Sequence, residues 1–119
     1  MTPKRRVLVV DDSDEITKMV VAILEASNHA AVAAHSMAEA CVLLKNQTFE
    51  VVLSDLGMEP ADGWELAEYV RTHYPSIRFV LATGWAAQVD PEEARARGVA
   101  QTISKPFRAS ELNAAVDGD

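Results

Sequence analysis

Three aspartates, a threonine and a lysine are the side chains of this sequence best suited to shared chemistry. Asp11 and Asp12 close the apolar run "RRVLVV", Asp55 closes "EVVLSD", Thr83 closes "IRFVLAT", and Lys105 with Pro106 follows "VAQTIS". An ionised carboxylate at the end of a buried apolar run is costly unless something balances or uses it. Two carboxylates about 4 Å apart repel by roughly 4 kcal/mol at an effective dielectric near 20, so a converging set must hold a proton between its members or bind a cation. An all-oxygen site with few protein ligands suits Mg2+ (or Mn2+), and magnesium keeps part of its hydration shell. Zinc is disfavoured, because His29, His35 and His73 fall outside the set and show no ligand spacing. A carboxylate beside a bound divalent cation and an ammonium group is placed to attack phosphorus and become an aspartyl phosphate. The cation and Lys105 would then offset charge on the transferring oxygens, and Thr83 would donate a hydrogen bond to one of them. Asp55 is the nucleophile of that chemistry.

These residues meet only if the runs that end in them lie side by side. Strand-like and helix-like segments alternate along the whole chain. "RRVLVV" is followed by "DEITKMVVAILEAS", with Ile16, Met19, Val20, Ile23 and Leu24 at helical spacing. "HAAVAAH" is an alanine-rich strand candidate, and Ser36 with Glu39 forms a capping-box pattern that opens a helix through Leu44. "EVVLSD" precedes "DGWELAEYVRTHY", a helix that Pro75 stops. "IRFVLAT" precedes Asp90-Pro91-Glu92-Glu93, a helix start with cap, first-turn proline and acids, which Gly98 ends. "VAQTIS" and the short "SELNAAV" complete the series. Five strands alternating with five helices imply an α/β fold, a parallel sheet with helices on both faces. In such sheets ligands bind outside the carboxyl ends of the strands where strand order reverses.

Length and composition set the frame. The chain of 119 residues fits a single domain, with no output, kinase or DNA-binding domain beside it. It is 49% hydrophobic and 24% charged, the balance of a soluble globular protein. A net charge of −7, with 18 acids against 11 lysines and arginines, argues against nucleic acid as a partner. The basic cluster Lys4, Arg5, Arg6 reads as a solubilising N-terminus. The single cysteine, Cys41, forms no internal disulfide and reads as a small core residue. No apolar run has the length of a membrane span or the pattern of a signal peptide, so the expected location is cytoplasmic, without a membrane partner.

With these residues in view, "VVDDS", "LSDLGMEPADG", "LATGWA" and "SKPF" resemble the four marker regions of the receiver domain of two-component response regulators, over nearly the whole chain. The resemblance implies a CheY-like, flavodoxin-like (βα)5 three-layer sandwich with that family's strand order. It implies that Asp55 is the phosphoacceptor, that Asp12 ligates magnesium directly, and that Asp11 helps to hold the metal through water. It further implies that Gly57 contributes its backbone carbonyl to the metal, that Lys105 binds the phosphoryl group, that Thr83 reorients toward it, and that the Lys105-Pro106 bond is cis. The partners it implies are a histidine kinase or histidine phosphotransfer protein and an unknown downstream protein, with the chain a monomer or weak dimer. "LATGWA" is similar to receivers attached to hybrid sensor kinases.

The pattern departs from the family at two places. Thr102 stands three residues before the lysine, where the family's switch aromatic belongs, and Pro60 follows Met58 by two positions instead of one. Gly57 and Trp85, two past the acceptor and two past the threonine, are positions that tune phosphoryl lifetime; glycine leaves space for water and tryptophan would block it.

Simpler readings stand beside these. Asp11, Asp12 and Ser13 suit helix capping, Trp85 and Trp64 suit packing, and the histidines suit the surface or helix packing. As functions, a receiver that modifies itself without conventional turnover leads. A pseudo-receiver that binds partners without phosphorylation is left open by Thr102 and Pro60. A magnesium-dependent aspartyl-phosphate hydrolase would use Asp12 and Asp14, but the chain has no cap domain and Asp55 would lack a job. A flavin-binding flavodoxin is disfavoured because acidic "DDSDE" replaces a phosphate loop after the first strand.

Overall fold

Runs of valine, leucine and isoleucine build the centre of the molecule. In a computed structural model, which describes residues 4–57 and 62–118, they form one sheet of five parallel strands: β1 (Arg6–Val10), β2 (Ala30–Ala34), β3 (Val51–Asp55), β4 (Arg78–Thr83) and β5 (Gln101–Ser104). The helices between and after them are α1 (Asp14–Ala26), α2 (Met37–Asn46), α3 (Gly63–His73), α4 (Pro91–Ala96) and α5 (Ala109–Asp117). The spatial order is β2-β1-β3-β4-β5, the flavodoxin-like order that the family resemblance implies. The order reverses at β1 and β3, so the crevice beyond their carboxyl ends is the ligand position of such a sheet.

The pleat of the strands divides the core. Val7, Val9, Val51, Leu53, Val80 and Ala82 point to one face and pack with Val20 and Leu24 of α1 and Leu112, Ala115 and Val116 of α5. Leu8, Val10, Val52, Phe79 and Leu81 point to the other, against Ala40 and Leu44 of α2, Leu66 and Val70 of α3, and Ala94 of α4. Both faces are covered, as an all-parallel sheet requires.

The caps at Ser13, Ser36 and Asp90 are those that the sequence proposes, and the structure adds Asp62. Ser13 accepts from Ile16 N–H, Ser36 from Glu39 N–H, Asp62 from Glu65 N–H and Asp90 from Glu92 N–H. Gly98 has φ of 99° at the end of α4, a conformation that other residues adopt only with strain. A short 3-10 turn, Ala86–Gln88, precedes α4 and has no clear sequence signal.

Three expectations need correction. Arg5 and Arg6 are structural rather than solubilising: Arg6 donates to the Thr48 carbonyl at 2.8 Å, and Arg5 to the Asp117 carbonyl at 3.3 Å. His29, by contrast, takes the helix-packing place that the sequence reading allows: it is 4% exposed where the turn from α1 into β2 folds it under α5. Cys41 is half-buried on α2 and belongs to neither core cluster. Trp85 is 63% exposed and so is not a packing residue. The displaced proline at Pro60, with Met58 and Glu59, lies outside the described residues. Among the described residues, no helix is long and apolar enough to cross a membrane.

Candidate functional site

The ladder of β1 runs one residue past the strand, where Asp11 N–H donates to the Ala34 carbonyl at 3.1 Å. This sets Asp11 at the strand mouth, 4% exposed, with Oδ1 accepting from Ser13 N–H at 2.9 Å. Asp12 follows it into solvent. Asp55 is the last residue of β3, paired with Ala82 of β4, and is half-buried. Lys105 is anchored by its own N–H, which donates to the Thr83 carbonyl at 2.9 Å, and the Lys105-Pro106 bond is cis. Strand pairing alone therefore delivers the acids, the hydroxyl residue and the amine to one edge.

The Lys105 ammonium bridges two of the acids. Nζ donates to Asp11 Oδ2 and to Asp55 Oδ1, each at 2.9 Å. Burial disfavours the charged form of Lys105, but the hydrogen bonds and charges of Asp11 and Asp55 outweigh it and hold the pKa above the ordinary lysine value. Asp11, Asp12 and Asp55 each offer a carboxylate oxygen, and these oxygens all lie within 4.8 Å of one another. Three carboxylates against one ammonium leave two negative charges at the edge. The all-oxygen donor set and that surplus fit a divalent magnesium-like ion, which takes one or two carboxylates and keeps several waters.

Thr83 is buried, and its Oγ1 accepts from Trp85 N–H at 3.1 Å. Gly57 is exposed, with open space where a Cβ would stand. Trp85 lines a groove with Leu56 and Trp64. Thr102 is half-buried in β5 and borders a separate recess of about 280 Å3 with Val89, Pro91 and Ala100. The structure thus brings together Asp11, Asp12, Asp55 and Lys105, ties Thr83 to Trp85, and leaves Thr102 apart.

Ser13 has a double part, capping α1 through Oγ and fixing Asp11 through its N–H. Asp14, which a hydrolase reading would need beside Asp12, is engaged by Lys18 at 3.0 Å and faces His35 at 3.4 Å. Sequence reasoning missed Ile16 and Phe107, which wall the small space at Asp55 and Lys105. Only the position of Phe107 in "SKPF" hinted at it. It also missed Gly63, where a Cβ would run into the Asp55 carbonyl oxygen; the helix after the acceptor approaches the strand too closely for any side chain.

Known proteins are similar to this chain in sequence and fold. The response regulator protein FleR of Pseudomonas aeruginosa is 33% identical over 107 residues, which are 90% of this chain and 23% of FleR. The response regulator receiver protein CpdR of Brucella abortus is 28% identical over 108 residues, 91% of this chain and 90% of CpdR. The chain therefore spans less than a quarter of the length of FleR and most of that of CpdR. The crystal structure of a CheY-like response regulator receiver domain protein from Methanospirillum hungatei JF-1 matches with a TM-score of 0.84 at 26% identity, covering 92% of this chain and 87% of that one. Residues 7–117 match the response regulator receiver domain family, and the chain belongs to it.

Proposed function

We propose that this receiver accepts a phosphoryl group on Asp55 from a phosphohistidine of a histidine kinase or histidine phosphotransfer protein. The observation that carries the reading is the Lys105 ammonium shared between Asp11 and Asp55 at 2.9 Å, with Asp12 on the open side. Lys105 holds Oδ1 of Asp55, and among the described residues no hydrogen bond reaches Oδ2, which is the attacking atom. The new O–P bond forms as the donor's N–P bond breaks, and the imidazole leaves with the electron pair. Asp11, Asp12, Asp55 and the Gly57 carbonyl would hold Mg2+. When bound, the ion supplies positive charge to the oxygens of the transferring group.

Lys105 then exchanges its carboxylate contact for a phosphoryl oxygen, and the Thr83 hydroxyl turns to donate to another. That turn releases Trp85 N–H, so the segment after β4 reports the modification to a downstream protein. Thr102 cannot supply the aromatic swing of typical receivers, which makes the Trp85 turn the lever. The chain works in the cytoplasm as a monomer or weak dimer, and it modifies itself without conventional substrate turnover.

Intact mass after incubation with magnesium and acetyl phosphate tests the proposal. One labile adduct that requires magnesium and is absent from Asp55→Asn is the expected result; no adduct on the intact chain would refute it. Thr102 favours the second reading, a pseudo-receiver that binds partners without phosphorylation, and the failed adduct is what that reading predicts.

A further inference from the structure

Between α3, α4 and the turn after β4 lies a groove of about 230 Å3 whose lining takes no part in the transfer to Asp55, although the turn that carries Trp85 is the proposed lever. Leu56 forms part of its wall, and two indoles, Trp64 and Trp85, line it with Asp90, Glu93 and Arg97. Trp64 is partly buried against the core and already carries a cation, since the guanidinium carbon of Arg97 stands 4.6 Å from the centroid of its ring. The charge of Arg97 is also matched: its Nε donates to Glu68 at 2.8 Å. Trp85 is different. It is 63% exposed, and among the described residues no cation lies over it. Asp90 and Glu93 are exposed, and among the described residues neither has an ion pair. The groove therefore has one satisfied guanidinium–indole pair, one open indole, and two carboxylates without an ion pair, of which Asp90 also caps α4 through Oδ1.

An exposed indole is poorly used in water, because its large apolar face gains nothing there. Its electron-rich face attracts a cation, and a planar, weakly hydrated guanidinium stacks on it better than an ammonium does. We propose that this groove docks an arginine-bearing segment of a partner protein, with the guanidinium on Trp85 facing Asp90 and Glu93 and a neighbouring apolar side chain against Leu56. The occupant is fixed by charge: an acidic segment would meet Asp90 and Glu93 with like sign. All the parts of the groove are in place without a phosphoryl group, so titration of the unmodified chain tests the docking apart from the acceptor role of Asp55, although the proposed Thr83–Trp85 turn would reshape the groove.

The test is a titration of the whole chain with a capped five-residue peptide, arginine at its centre between leucines and glycines, followed by the indole N–H resonances. Shifts at Trp85 and Trp64 are expected. Glutamate in place of the arginine should weaken binding by about tenfold or more, and Trp85→Ala and Glu93→Lys by about fivefold each. Both replaced side chains are exposed, and because Glu93 is also a first-turn acid of α4, the urea midpoint of Glu93→Lys is measured beside that of Glu93→Gln, which removes the charge alone and should also weaken binding. Equal binding of the glutamate peptide would overturn the proposal, as would variants within about twofold of the parent or no binding of the arginine peptide at millimolar concentration. Indole shifts that depend on the concentration of the chain alone would assign the groove to a second copy and overturn it too.

Discussion

Lys105 occupies the position between Asp11 and Asp55 where a divalent cation would also draw charge, so the two compete as well as cooperate. Removing the ammonium leaves three carboxylates unopposed. Lys105→Met should therefore bind magnesium roughly three- to tenfold more tightly, measured by calorimetry, while losing the acetyl phosphate adduct. Without magnesium the same variant should lose about 1–3 kcal/mol of stability, because Asp11 and Asp55 keep their charges in a partly buried site without a partner. Millimolar magnesium should restore much of that loss. Asp12 is the contrast: it is exposed and makes no hydrogen bond among the described residues. Without magnesium, Asp12→Asn should leave stability unchanged or raise it by about 1 kcal/mol, because one of three mutually repelling carboxylates is gone, yet it should abolish magnesium-dependent adduct formation. A large fall in stability for Asp12→Asn would mean that its charge is structural and the proposed division of labour is wrong.

At the scale of elements, the tightest constraint is the approach of α3 to the end of β3. Gly63 N–H donates to the Leu56 carbonyl at 2.9 Å, and no side chain fits between the helix start and the Asp55 backbone. Gly63→Ala should cost about 1–3 kcal/mol through this overpacking, and because the obstructed atom belongs to Asp55 it should also slow adduct formation. Thermal melts and the mass assay would separate the two effects. The Thr83–Trp85 bond gives a second prediction at this scale. Trp85 emission should change when acetyl phosphate and magnesium are added, and Thr83→Ala should remove that change, since its methyl group has no lone pair to hold the Trp85 N–H. Much of this layout is legible in the sequence. Apolar runs ending in Asp, Thr or Lys name the strands and the ends that carry the candidate site, and Ser36 and Asp90 mark helix starts. What stayed hidden is set by contacts across the fold. Nothing local announces the 3-10 turn at Ala86–Gln88, the closeness of α3 at Gly63, or the exposure of Trp85, whose apolar character alone suggested packing.

For the molecule as a whole, the carboxyl ends of the strands hold the candidate site and the opposite ends gather the first and last of the described residues. Lys4 N–H donates to the Asn28 carbonyl, Arg5 reaches the Asp117 carbonyl, and His29 sits beneath them with Nε2 3.3 Å from Asp117 Oδ1. Neither ring nitrogen of His29 makes a hydrogen bond. Burial lowers its pKa; Asp117 and Glu50 pull it up, Lys4 and Arg5 push it down, and the net direction is down. A histidine lowered in the folded state binds its proton more readily when unfolded, near pH 6.5. Its contribution to stability is thus fully present above that pH and is lost as pH falls below it toward the depressed folded value. The urea midpoint should accordingly fall between pH 8 and pH 5.5. His29→Leu should flatten that slope, because the replacement fills the same apolar place and does not titrate. Since His29 lies at the far end of the sheet from Asp55, the variant should take up phosphoryl from acetyl phosphate at the parent rate. An unchanged slope would show that the buried imidazole opens to water without cost; a lost adduct would show that the two ends of the sheet are coupled.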